Sequence, residues 1–328
     1  MTRGFRVLSR EDVSKSLSMD EAIDLMSEAF TQLSCGAAVV PVRQTMEIPR
    51  EQARVLVMPA YLAKTRRISI KLVSIMERNS ARGLPYIQAF QMVLDGETGK
   101  PLALMDGELL TAIRTGAASG LATRLLARED AQVVAIIGAG VQSRFQLEAV
   151  REVRPIERAF VFNRNLPKGQ QFADEMSIQL AIEVTVAADP EDLAEADIIC
   201  TATTATAPVF QHRHLKPGVH INAVGAYKAG MCEIPAETIA AAKLVVDHRA
   251  SCLSEAGDLI QAIEAGAIDA NQIHAEIGEV AAGSSAARES NTEITLFKSV
   301  GNAVQDLAAA SRVLLNAEKL GLGTRVEL

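Results

Sequence analysis

Val133-Val134-Ala135-Ile136-Ile137-Gly138-Ala139-Gly140-Val141-Gln142-Ser143 is the stretch whose reading decides the fold. Its first five residues are apolar and mostly β-branched, which suits a strand buried on both faces. Gly138 and Gly140 interrupt the run, and helical spacing follows from Val141 to Val153. A second short apolar run, Ala159–Phe162, comes next. A Gly-x-Gly-x-x-Ser loop alone is weak evidence. Set between a strand and a helix, with another strand beyond, it has the context that a dinucleotide fingerprint requires. The first glycine allows the tight turn, the second lets the backbone approach a pyrophosphate, and the helix N-terminus favours the negative charge. Ser143 takes the third glycine's place and is small enough for close helix–strand packing. Gly138, Ala139, Gly140, Val141 and Gln142 are therefore candidate cofactor contacts.

Strand–helix alternation continues downstream. Glu183–Val186, Ala196–Thr201, Val219–Val224 and Lys243–Asp247 read as further strands, making six in all. The pattern predicts an α/β fold, a doubly wound parallel (Rossmann) sheet over residues 129–300. Ligands of such sheets sit beyond the carboxyl ends of the strands, so Thr201, Thr203 and Val224 join the cofactor candidates. An acid about 20 residues after the loop would bond the ribose hydroxyls of NAD. Asn163-Arg164-Asn165 stands there instead. No acid repels a 2′-phosphate and a guanidinium is at hand to receive one, which predicts NADP(H) in preference to NAD(H), with NAD(H) possible.

Upstream, Ser9-Arg10-Glu11-Asp12 and Ser18-Met19-Asp20-Glu21 read as helix starts, the second leading a helix to Leu33 that Gly36 closes. Arg43–Ile48, Arg54–Met58, Ile68–Met76, Ala89–Leu94 and Pro101–Met105 read as strands. The expectation is a smaller mixed α+β domain over 1–128. A long helix from about Gly107 to Arg128 ends it, with Asp106 as its cap. A last helix near 301–328 is expected to return to this domain.

Composition narrows the function. The 328 residues carry a net charge of −7, with 4% aromatics and no Trp. That argues against a nucleic-acid partner. No apolar run is long enough to span a membrane, and the N-terminal Met-Thr-Arg-Gly-Phe-Arg leads into no signal-like segment, so a cytoplasmic protein is expected. Cys35, Cys200, Cys232 and Cys252 form no Cys-x-x-Cys pair and read as free buried thiols. His212-Arg213-His214 reads as a solvated loop and His220 as structural; no metal site is predicted.

Three cations, Arg43, Lys71 and Arg114, stand among apolar neighbours. A buried charge needs an anionic partner. Spacing alone leaves open whether that partner is a protein carboxylate or a ligand's. Lys71-Leu72-Val73, Gly83-Leu84-Pro85, Asp95–Met105 and Leu110-Thr111-Ala112-Ile113-Arg114-Thr115 carry a resemblance to the ornithine cyclodeaminase/mu-crystallin family. Ile137–Gln142 and Leu296-Phe297-Lys298-Ser299-Val300-Gly301 extend it over nearly the whole chain. The resemblance implies a homodimer built on the first domain. It implies that Arg43, Lys71 and Arg114 face a small imino- or amino-acid substrate, and that Ser299 lies near the nicotinamide. It leaves several activities open: ketimine reduction, ornithine cyclodeamination, alanine dehydrogenation, or ligand binding without turnover. Cyclodeaminases resemble this chain around Met58-Pro59, where Met58 is a pocket candidate, but are expected to carry an acid where Leu56 stands. They and the archaeal-type alanine dehydrogenases are also expected to carry Asp where Tyr227 stands. Both departures count against ammonia elimination and ring closure, and the Asn163-Arg164 pair looks more like the family's NADPH-using ketimine reductases, which act on 2-imino acids. In that reading Arg43 and Arg114 hold the substrate carboxylate, Lys71 polarises the imine, and Tyr227 shapes the pocket.

Overall fold

A computed structural model describes residues 4–327; Met1–Arg3, at the head of the N-terminal stretch read above, and Leu328 lie outside them. The chain forms two units. One comprises residues up to Arg114 together with those from Asn302 onward, the other Thr115–Gly301. The first division falls inside the helix Gly107–Leu126, not at its charged end near residue 128. A charge run ends a helix but does not mark where packing changes. Gly116 already lies so close to the Phe145 backbone that any Cβ would overlap it, so from there the helix packs within the second unit.

In the second unit, strands of four or five residues form a parallel sheet in the order Glu183–Val186, Arg158–Phe162, Val133–Ile137, Ile198–Thr201, His220–Ala223, Thr295–Lys298, Lys243–Val246, Ile273–Glu276. Alternate residues feed two separate cores. Val134, Ile136, Val161 and Cys200 pack with Leu147 and Phe172 of the helices on one face. Ala135, Ile137, Ile199 and Ile221 pack with Ile239 and Leu259 on the other. This is the doubly wound fold that the strand–helix alternation implies, and its order reverses at Val133–Ile137. Six strands were expected and the sheet has eight. Thr295–Lys298 inserts between the fifth and sixth of the expected strands. It escapes pattern reading because Lys298 breaks its apolar run. That ammonium is fully buried and tolerated only because Asp258 Oδ2 lies 2.7 Å from it.

In the first unit, Thr324–Glu327, Gly4–Leu8, Pro101–Asp106, Ile87–Asp95, Arg67–Met76, Ala53–Leu62 and Ala38–Val39 form a mixed sheet, with Gln44–Ile48 also pairing Ala53–Leu62. Gly4–Leu8 runs parallel to Pro101–Asp106 and the remaining pairs are antiparallel. Thr324–Glu327 was invisible to patterning because all four of its residues are exposed. Ser9 and Asp12 form a reciprocal cap on the helix Arg10–Ser16. Ser18 Oγ accepts from Glu21 N at the start of Met19–Ser34, and Asp106 Oδ1 accepts from Leu109 N. The helix Ala303–Leu320 packs on Ala53–Leu62, Arg67–Met76 and Met19–Ser34. It covers one face of the sheet, burying Ser69, Lys71, Val73 and Ile75, while the alternate residues stay partly exposed. Among the described residues, no helix is long and apolar enough to cross a membrane. Cys200, Cys232 and Cys252 are buried, but Cys35, just past the end of Met19–Ser34, is exposed.

Candidate active site

In the first unit, the register of the sheet sets Met105, Gln91, Lys71 and Met58 level on four adjacent strands. Residues directly opposite one another share a face. Arg43 precedes Gln44, which pairs Val57, so the half-buried Arg43 comes level with Met58. The helix Ala303–Leu320 brings Asp306 onto this face. Its Oδ1 accepts from Lys71 Nζ at 3.1 Å and from Arg114 Nε at 2.9 Å. Arg114 Nη1 also donates to Gln305 Oε1, which is fixed in turn by Asn302 N. Lys71, Arg114 and Asp306 are all buried, at 3%, 5% and 0% exposure.

Two buried cations thus share a single carboxylate oxygen, and a net positive charge remains. Burial pushes the Lys71 ammonium down to about 8; Asp306 opposes this, and the Arg114 and Arg43 charges add to it. Burial would raise the Asp306 carboxyl, but Arg114 and Lys71 outweigh it and hold that group below its ordinary value. Arg114 therefore has a protein partner, which sequence spacing had left open, and the partner is shared. Asp306 was missed. The available signal was a lone acid in the apolar run Ala303-Val304-Gln305-Asp306-Leu307-Ala308.

In the second unit, Gly138 has φ +111°, and a Cβ there would stand 2.7 Å from Ala202 O, so only glycine fits. Gly140 is the N-cap of the helix Val141–Val153, and a Cβ there would meet open space. Ser143 is fully buried and its Oγ accepts from Gly140 N. A glycine cradle leading into a helix N-terminus fits the pyrophosphate of a dinucleotide. After the second strand, Asn165 caps the helix Leu166–Leu180 by accepting from Lys168 N, and Asn163 donates to Asn165 O. Arg164 between them is exposed.

The loops beyond the next strands hang on buried carboxylates. Glu233 accepts from Thr201 Oγ1 at 2.8 Å, Thr203 N at 2.6 Å and Gly225 N at 2.8 Å. A Cβ at Gly225 would overlap that carboxylate. Burial raises the Glu233 carboxyl, while the Lys298 charge pulls it back. Asp247 Oδ2 accepts from Ser299 Oγ, Val300 N and Gly301 N, and its Oδ1 from His248 N and Cys252 Sγ. Asp258 accepts from Glu233 N, Ile234 N and Lys298 Nζ. Thr201, Thr203, Val224 and Ser299 are thus brought to one edge of the sheet, at or just beyond its strand ends. Tyr227 is half-buried against the apolar core of this unit, with Lys228 Nζ over its ring. Asp247 closes a predicted strand and Glu233 lies outside every predicted element, and the sequence assigns neither a role; a buried carboxylate leaves no periodic trace.

His220 is fully buried between Thr295 and Asn222, and burial pushes it down to about 3, so it is neutral. His214, expected in a solvated loop, is buried and accepts from Gln211 N. Among the described residues, no group of three His, Cys, Asp or Glu is placed to hold a metal ion.

Comparison with known proteins gives these two arrangements a context. Delta(1)-pyrroline-2-carboxylate reductase of Bacillus cereus (strain ZK / E33L) is 39% identical over 98% of this chain and 99% of its own length. The structure of Thermococcus litoralis Delta(1)-pyrroline-2-carboxylate reductase in complex with NADH and L-proline superposes with TM-score 0.94 at 44% identity, covering 98% of this chain and all of that one. An archaeal alanine dehydrogenase dimer with bound NAD superposes with TM-score 0.93 at 35% identity, covering 99% of each chain. Residues 5–320, which include the parallel sheet with its glycine cradle and most of the mixed sheet, match a single family: the chain belongs to the ornithine cyclodeaminase/mu-crystallin family.

Proposed function

We propose that this chain is an NAD(P)H-dependent oxidoreductase that reduces a 2-imino acid to an L-amino acid, with Delta(1)-pyrroline-2-carboxylate as the leading substrate. The observation that carries the reading is the surplus positive charge of the Lys71–Arg114–Asp306 cluster. A buried surplus cation calls for a second anion, and a substrate carboxylate supplies it. Arg114, held through Nε by Asp306 and through Nη1 by Gln305, donates to that carboxylate together with Arg43. Lys71 keeps the imine nitrogen in its protonated, polarised form; an ammonium already lowered to about 8 gives up or regains its proton near neutral pH. NAD(P)H, when bound, supplies the hydride to the imine carbon. The second unit binds it through Gly138–Gln142, Thr201, Thr203, Val224 and Ser299. Relatives that carry NADH with L-proline, or NAD, support this assignment.

Cyclodeamination is the less favoured reading, because Leu56 and Tyr227 offer no carboxylate. Alanine dehydrogenation and ligand binding without turnover remain distinct outcomes of the assay below. We further propose a preference for NADP(H) over NAD(H), because Arg164 is exposed and its sequence neighbours are Asn163 and Asn165 rather than an acid. A homodimer through the first unit is proposed as well. The face of its sheet away from Ala303–Leu320 presents Ile68, Ile70 and Leu72, each partly exposed, and Phe90, which is 40% exposed; sedimentation at micromolar concentration reads this directly.

The deciding experiment follows NAD(P)H oxidation with Delta(1)-pyrroline-2-carboxylate, its six-membered homologue, iminosuccinate, and pyruvate with ammonia, plus L-ornithine with NAD as a control. Turnover of a cyclic imino acid is expected. Ammonia release from ornithine without net cofactor change, or cofactor binding without any turnover, overturns the proposal.

A further inference from the structure

Gln91 stands at the centre of the strand Ile87–Asp95, level with Lys71 on one side and Met105 on the other. It is fully buried, and among the described residues neither Nε2 nor Oε1 has a hydrogen-bond partner. Ser69 Oγ, on the same face two residues from Lys71, and Asp306 Oδ2 are buried and unpartnered in the same way. Buried polar atoms are satisfied in the large majority of cases, and an unmet donor or acceptor carries its full desolvation penalty. A methionine would fill the same volume as Gln91 without that penalty, as Met105 and Met58 do in the same row. An amide with neither end bonded, beside a cation cluster with surplus charge, is suited to a ligand that offers both an acceptor and a donor.

We infer that Gln91 is a substrate-contacting residue that selects for the imino acid. Its Nε2 donates to the carboxylate and its Oε1 accepts from the N–H of the protonated imine. A 2-keto acid offers the carboxylate but no N–H, so Gln91 favours C=N over C=O substrates. The inference rests on the reaction proposed above and deepens it by naming what reads the imine nitrogen.

The test is Gln91→Met in the full chain, with Gln91→Glu as a second, isosteric variant that keeps an acceptor but loses the donor. Gln91→Met is expected to raise KM for Delta(1)-pyrroline-2-carboxylate by at least about tenfold. NADH affinity should stay unchanged and the melting temperature should equal or exceed wild type, because a penalty has been removed. Gln91→Glu is expected to raise KM further, because its charge cancels the surplus. A purely structural Gln91 would instead lower the melting temperature and shift NADH affinity and kcat together; that outcome, or an unchanged KM in either variant, overturns the inference. A second readout does not need turnover. L-proline with NADH should raise the melting temperature of wild type and not of Gln91→Met. Equal protection of both, or of neither, also overturns it. Failure of the wild type to turn over any imino acid counts against the proposed reaction, and the L-proline comparison still decides Gln91.

Discussion

The two units treat buried carboxylates in opposite ways. In the second, Glu233, Asp247 and Asp258 are saturated on both oxygens by backbone amides, hydroxyls or Lys298. In the first, among the described residues, Asp306 receives two cations on one oxygen and nothing on the other, and Gln91, level with Lys71, has both amide atoms unmet. A saturated carboxylate has no capacity left for a ligand, so its contribution is to hold loops in place. An under-satisfied cluster carries a standing electrostatic and hydrogen-bonding deficit that a bound polar ligand can relieve. Under the proposed function, the contrast separates residues that shape a binding edge from residues that would meet the substrate.

Arg114→Met tests that contrast most severely. Removing one partner of a buried ion pair costs about 3–5 kcal/mol. Here kcat/KM for the imino acid should fall roughly a thousandfold with NADH affinity intact. A loss confined to cofactor binding breaks the division of labour. Glu233→Ala is the mirror experiment. It leaves two amides and a hydroxyl without an acceptor, at about 1–3 kcal/mol for each orphan. NADH affinity should drop roughly tenfold to a hundredfold while KM for the imino acid holds; titration calorimetry with steady-state kinetics reads both.

The pH dependence sharpens the picture of the first unit. Lys71 is protonated in the folded chain below about 8 and in an unfolded chain up to its ordinary 10.5. Above about pH 8 the cluster loses a positive charge, so kcat/KM for an anionic substrate should fall about tenfold per pH unit. Between those two values the unfolded chain binds more protons, so the contribution of Lys71 makes folding stability rise with pH. Lys71→Met should abolish both trends; a limb near pH 8 that survives the substitution assigns it elsewhere. The smallest effect is expected at Arg164. Arg164→Ala should raise KM for NADPH about tenfold, the worth of one charged hydrogen bond, and for NADH less than twofold. Equal changes would remove the case for a 2′-phosphate site.

Legibility in the sequence followed physical range. The strand–glycine–helix run at Val133–Ser143 announces itself because steric and periodic constraints act over neighbouring residues. The caps at Ser9 and Asp106 were readable for the same reason. Thr295–Lys298 was not, because the partner that makes its lysine tolerable, Asp258, stands forty residues away. Asp306 was not, because it lies 192 residues from Arg114 and 235 from Lys71, and no local pattern records such a pairing.

By itself, then, the chain's order of residues determined the alternation of strands and helices, the glycine cradle, and the presence of cations in apolar surroundings. Only the tertiary structure decided which carboxylate those cations share, which oxygens and amides are left unmet, and which loops hang from Glu233 and Asp247. Backbone preferences are set by adjacent residues and can be read one segment at a time. Charge balance and hydrogen-bond satisfaction belong to groups that meet only when distant segments pack.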